Sequence, residues 1–124
     1  MLNFFGDVES FGYEIQRKTE DAINDTLQEN PTLRLNVALG YGGRKDLVDV
    51  CKELAFDYAA GYIDCDDIDE DMLASISKVP DDNIDLIIRT GGDKRLSNFL
   101  LFQAAYAEIM FIDTLWPDFT RDDF

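Results

Sequence analysis

Two short apolar runs in this sequence break off in glycine beside arginine, and that feature constrains the fold more than any other. Residues 32–39 alternate, placing Leu33, Leu35, Val37 and Leu39 on one face of a strand, and then give way to Gly40-Tyr41-Gly42-Gly43-Arg44. Residues 84–89 are rich in isoleucine, end in Arg89 and give way to Gly91-Gly92. Segments of helical spacing lie around these runs. Residues 11–30 set Phe11, Ile15, Ala22, Ile23 and Leu27 near one face, and Pro31 stops them. Residues 45–60 do the same with Leu47, Val48, Cys51, Leu54, Ala55 and Tyr58, with Gly61 as the stop. Asp67, with Glu70 three residues on, is expected to cap a short helix bearing Met72, Leu73 and Ile76. A strand over residues 2–5, a helix over about 98–108 and a last strand over 110–112 complete the pattern. This alternation predicts a layered α/β fold with a largely parallel β-sheet flanked by helices. Ligands of such sheets gather beyond the carboxyl ends of the strands, so the two glycine turns are where a site is expected.

Charge and composition exclude several functions. The net charge of −15 repels nucleic acid over the whole surface, although charges more than about 8 Å apart are largely screened at physiological salt. The acid gathers at residues 64–71 and 118–123, read as a solvated loop and tail; the first has no turn glycine for a calcium loop. The chain has no histidine, which removes mechanisms built on a histidine base or metal ligand. Cys51 and Cys65 are too few for a disulfide framework or a zinc site. No apolar run approaches the roughly 18 residues of a membrane span, and the start lacks the pattern of a signal peptide. A soluble cytoplasmic protein is expected.

The chemistry concentrates in Arg89-Thr-Gly-Gly-Asp-Lys-Arg-Leu-Ser-Asn98, a basic, hydroxyl-bearing stretch in an otherwise acidic chain. Glycines let the backbone approach an anion, and arginine offers a forked, permanent charge suited to phosphate oxygens. Two readings stand on the residues alone. Either the segment holds a phosphate or diphosphate, or Arg89 and Arg95 pair with Asp85, Asp93 or Glu108 and the glycines only turn the chain. Glu108, among Tyr106, Ile109, Met110 and Phe111, reads as a surface group, an arginine partner or a Mg²⁺ ligand. Gly40 to Arg44 is foremost a structural turn. The aromatic group Phe99, Phe102, Tyr106, Phe111, Trp116 and Phe119 is expected mostly in the core.

Four stretches together carry a resemblance. Leu35-Asn-Val-Ala-Leu-Gly-Tyr-Gly-Gly-Arg44, Asp85-Leu-Ile-Ile-Arg-Thr-Gly-Gly92, Arg95-Leu-Ser-Asn-Phe-Leu-Leu-Phe-Gln103, and Ala105-Tyr-Ala-Glu108 on to Asp113-Thr-Leu-Trp-Pro-Asp-Phe119 stand in order and at matching spacing. Weaker similarity reaches back to Phe5-Gly-Asp7. In these the chain resembles the cis-prenyltransferases, whose bacterial members make undecaprenyl diphosphate. The resemblance implies that Arg89, Arg95, Leu96 and Ser97 bind isopentenyl diphosphate and that Glu108 helps hold Mg²⁺. It further implies cis condensation with an allylic diphosphate such as farnesyl diphosphate, a homodimer or heteromer, and peripheral membrane contact through a polyprenyl product. Departures are small: Phe102 stands where tryptophan is usual, Asp93 where glutamate is usual and Met110 where tyrosine is common.

Family members are about twice this length and open with an Asp-Gly-Asn-Gly-Arg-Trp segment that binds the allylic diphosphate and supplies the catalytic aspartate. Nothing like it occurs here, so residues 1–124 are expected to be the C-terminal half of one catalytic domain, an incomplete fold with no catalytic residue of its own. Such a chain is expected to be inactive alone and to pair with a second copy or with the half it lacks. The alternative is a non-catalytic partner subunit; the intact arginine segment favours the first reading.

Overall fold

The computed structural model describes residues 1–81 and 83–124. They fall into two compact units, Met1–Pro80 and Asp81–Phe124, each built on one pair of parallel strands.

In the first unit β1 (Leu2–Gly6) runs parallel to β2 (Leu35–Leu39), from Leu2 opposite Leu35 to Gly6 opposite Leu39. Parallel neighbours need a long crossover. A 3₁₀ turn at Val8–Phe11 and helix α1 (Tyr13–Asp25) supply it. The helix is shorter than its apolar spacing predicts because Gly12, at φ 83°, turns the chain before it. At its far end the Thr26 hydroxyl donates to the Ala22 carbonyl at 2.8 Å and accepts the Leu2 N–H at 2.9 Å, which ties the helix to β1. Helix α2 (Gly43–Ala60) follows the turn at Gly40 to Gly42 as expected and ends at Gly61 in the left-handed conformation. The cap of α3 (Glu70–Ile76) is Asp69 and not Asp67: its carboxylate accepts the Met72 N–H at 2.8 Å. Asp67 instead accepts the Asp64 N–H and closes a separate 3₁₀ turn at Cys65–Asp67. Phe5, Val50, Leu54 and Val79 form the buried core of this unit.

In the second unit β3 (Leu86–Arg89) runs parallel to β4 (Glu108–Phe111), with Leu86 opposite Glu108 and Arg89 opposite Phe111. The helix expected over residues 98–108 does not form. Turns occupy that stretch, and Ser97 (φ 49°), Asn98 (φ 67°) and Leu100 (φ 47°) are left-handed, a conformation that cannot join a right-handed helix. Glu108 accordingly opens a strand. Ile87, Leu100 and Ala104 are buried, with Gln103 among the buried polar residues. The aromatic group is mostly not core: Phe99, Phe111 and Trp116 are exposed and Tyr106 is 97% exposed. Trp116 stacks on Phe119 with ring centres 5.9 Å apart. Among the described residues no helix is long and apolar enough to cross a membrane.

Candidate anion-binding site

Arg89 closes β3 at its carboxyl end, on the strand face it shares with buried Ile87. Its guanidinium reaches forward over the glycine turn. One terminal nitrogen donates to the Arg95 carbonyl and, at 2.7 Å, to the Ser97 hydroxyl; the other donates to Asp93 Oδ2 at 3.0 Å. Arg95 donates to that same Oδ2 at 2.6 Å. A single carboxylate oxygen thus gathers two forked cations. The turn is pinned to the segment after β4: the Gly91 N–H donates to the Thr114 carbonyl at 2.9 Å and the Gly92 N–H to the Ile112 carbonyl at 3.1 Å.

Beside the guanidiniums lies an open cleft of about 330 Å³, lined by Ile87, Ile88, Arg89, Arg95, Leu96, Ser97 and Phe99. One part offers cationic donors and a hydroxyl, the other hydrocarbon. That lining suits a small amphiphile with an anionic head. Both readings of the arginines therefore have a place in the structure: they do pair with Asp93, and the shared oxygen sits where an oxygen of a bound phosphate would receive the same bonds.

Arg89, Arg95, Leu96 and Ser97 are brought together; Glu108 is not. In the parallel register Glu108 shares the face of Leu86 and Ile88, opposite to Arg89, and starts three strand steps back, about 10 Å along the strand. Among the described residues no group of three or more His, Cys, Asp or Glu side chains converges as a metal site. Glu108 and Arg89 therefore lie on opposite faces of the strand pair. The cause is the strand that replaces the expected helix.

A second cleft, in the first unit, lies at the Gly40 turn where the sequence also led one to expect a site, but its charged lining was not legible in the sequence. It holds about 160 Å³ at the carboxyl ends of β1 and β2, where Asp7, Tyr41, Lys45, Asp46, Asp49 and Lys78 meet. Most of its charges are paired internally. Buried Asp46 accepts from the Ser77 hydroxyl at 2.7 Å, the Lys78 N–H at 3.0 Å and the Tyr41 hydroxyl at 3.4 Å. Burial first, then the charge and hydrogen bond of Asp46, push the Tyr41 hydroxyl up to about 12. Asp49 sits among Lys45, Lys52 and Lys78, and the Lys45 hydrogen bond above all holds its carboxyl below the usual range. This cleft reads as a clasp between the start of α2 and the segment after α3. Besides the glycine turn, the sequence signal for the clasp was an aspartate in the first turn of a helix.

Parallel strand pairs, the first with a helical crossover, and a cationic cleft past a strand's carboxyl end define a protein of the α/β class. The pattern of the family described as "Putative undecaprenyl diphosphate synthase" matches residues 1–124, and the chain belongs to that family of prenyltransferases. It is 44% identical over 123 residues to a ditrans,polycis-undecaprenyl-diphosphate synthase, (2E,6E)-farnesyl-diphosphate specific, of Aliivibrio fischeri, covering 97% of this chain and 47% of the relative. It is 40% identical over 124 residues to a tritrans,polycis-undecaprenyl-diphosphate synthase, geranylgeranyl-diphosphate specific, of Pyrococcus horikoshii, covering 99% and 47%. Among solved structures, lavandulyl diphosphate synthase from Lavandula x intermedia, in complex with dimethylallyl diphosphate, matches with a TM-score of 0.87 at 31% identity, covering 99% of this chain and 53% of that one. The chain thus spans about half the length of the curated relatives it matches.

Proposed function

We propose that this chain is the isopentenyl-diphosphate-binding part of a cis-prenyltransferase, the later half of the catalytic domain. The observation that carries the reading is the divided lining of the cleft, with Arg89, Arg95 and Ser97 on one side and Ile87, Ile88, Leu96 and Phe99 on the other. The guanidiniums hold the diphosphate, the hydroxyl of Ser97 donates once Arg89 releases it, and the hydrocarbon wall receives the five-carbon tail. Fixing the diphosphate leaves the tail's double bond as the nucleophile toward an allylic carbon. Groups that bind and ionise the allylic diphosphate belong to the rest of that domain in this reading, and Glu108 takes no part in binding the isopentenyl head. The assembled enzyme works in the cytoplasm, as a dimer or with a complementary chain, which the many exposed apolar side chains of both units support.

Titration calorimetry of the chain in metal-free buffer tests the binding reading. Isopentenyl diphosphate should bind about tenfold more tightly than inorganic pyrophosphate, from burying one to two methylene equivalents at ~0.8 kcal/mol each. Equal affinities would remove the apolar wall from the site, and an absence of binding by both would sink the proposal.

A further inference from the structure

The acidic end of the chain, expected from the sequence as a solvated tail, is not wholly solvated. Of Asp113, Asp118, Asp122 and Asp123, the first three are exposed and Asp123 is half-buried. Its Oδ2 accepts the Thr120 N–H at 2.7 Å and the Thr120 hydroxyl at 2.8 Å, closing the 3₁₀ turn at Arg121–Asp123. Its Oδ1 accepts the Thr114 hydroxyl at 2.9 Å. These bonds, the Thr120 N–H foremost, hold its carboxyl below the usual carboxylate range, so it is ionised at neutral pH and each bond is charge-assisted.

Thr114 is also the residue whose carbonyl takes the Gly91 N–H, while the Gly92 N–H goes to Ile112. With both N–H groups spent on this segment, the turn serves the cleft by placing Arg89 before it and Asp93, which binds both arginines, after it. Gly91 (φ 90°) and Gly92 (φ 81°) lie in a region open chiefly to glycine. Two successive glycines have the widest conformational freedom of any pair, so the turn does not fix its own shape. Its bonds to Ile112 and Thr114 fix it, and Asp123 in turn holds Thr114.

We propose that Asp123 is a positioning residue for the arginine cleft: through the Thr114 hydroxyl it fixes the segment on which the Gly91-Gly92 turn is bonded, and so sets where Arg89 and Asp93 stand. The inference rests on the diphosphate reading above and concerns what keeps that site in shape. It makes a prediction opposite in sign to simple electrostatics. In a chain of net charge −15, removing a carboxylate should by charge alone tighten the binding of an anion. Removing this one loosens the turn and weakens binding instead.

The experiment titrates the chain with inorganic pyrophosphate in metal-free buffer by calorimetry, follows amide hydrogen exchange by nuclear magnetic resonance, and uses urea melts to verify folding. Neither Thr114 nor Asp123 lines the cleft. Asp123→Ala and Thr114→Val, which removes the hydroxyl at nearly constant volume, should each weaken pyrophosphate binding about three- to tenfold. Both should speed exchange of the Gly91 N–H. The double variant should bind no more weakly than Asp123→Ala, because both changes break the same contact. Thr114→Ser keeps the hydroxyl and should bind as the parent does. Coupling is reciprocal, so pyrophosphate should slow exchange of the Thr120 N–H in the parent. If Thr114→Val does not fold, Asp123→Ala and Thr114→Ser carry the comparison. Parent-like or tighter binding by Asp123→Ala overturns the positioning role and leaves the cleft standing, with Asp123 only closing the last turn. A loss in Thr114→Ser as large as in Thr114→Val overturns it too, since the hydroxyl is then not the link. A parent that binds no pyrophosphate overturns the diphosphate reading and the positioning role with it.

Discussion

Replacing Arg89 by alanine is the sharpest test of where binding free energy resides. Its side chain is 23% exposed, against 65% for Arg95, and it alone spans from β3 to Asp93, Arg95 and Ser97. A charge-assisted bond to a diphosphate in such a half-buried setting is worth about 1.5–3 kcal/mol, so Arg89→Ala should weaken isopentenyl diphosphate binding by about 10- to 100-fold. Arg95 is open to water and its ion pair is worth at most about 1 kcal/mol, a factor of roughly five. The structure therefore ranks two arginines that the sequence left equal. Arg89→Lys should recover only part of the loss, because the charge returns without the fork. Calorimetry on the three variants, with urea denaturation to verify that each remains folded, gives the comparison. Binding by Arg89→Ala within twofold of the parent, or a larger loss in Arg95→Ala than in Arg89→Ala, would refute the reasoning and leave the arginines as ion-pair partners of Asp93 alone.

Three further outcomes follow from particular contacts. Glu108→Gln should leave metal-free isopentenyl diphosphate binding unchanged within about twofold, since Glu108 lies on the other face of the strand pair from Arg89; a tenfold loss by calorimetry would contradict that placement. Gly6→Ala should destabilise the first unit by about 2 kcal/mol or more in urea melts, because a Cβ at φ 105° would run into the Leu39 carbonyl oxygen and crowd Tyr41; a wild-type midpoint would exclude the close approach. Tyr41, neutral in the fold up to about 12 and ionising near its ordinary 10 when unfolded, binds more protons in the native state across that interval. Its contribution to stability should be constant below pH 10 and fall as pH rises from 10 to 12. Alkaline melts of the parent against Tyr41→Phe check this, and an identical pH dependence in both would rule out a raised Tyr41 hydroxyl in the fold.

The parts of this protein that its sequence determined unaided are those set by local stereochemistry. A strand that ends in glycine, a helix that stops at Gly61 and a parallel pairing that needs a helical crossover are all written in short-range pattern, and β1, β2 and α2 stand where that pattern puts them. The family was legible for the same reason, since its motifs are runs of contiguous residues. What the tertiary structure alone decided depends on groups that meet across the chain. The spacing of residues 98–108 favours a helix, yet Ser97, Asn98 and Leu100 are left-handed, and a guanidinium from β3 holds the Arg95 carbonyl and the Ser97 hydroxyl at the start of the stretch. With the helix gone, Glu108 becomes a strand residue, and strand alternation sends it to the face away from the arginines. The buried clasp on Asp46 likewise joins residues more than thirty apart, Ser77 and Lys78, a meeting that no local pattern announces. Propensity is a bias of a few tenths of a kcal/mol per residue, which contacts made across the chain can outweigh.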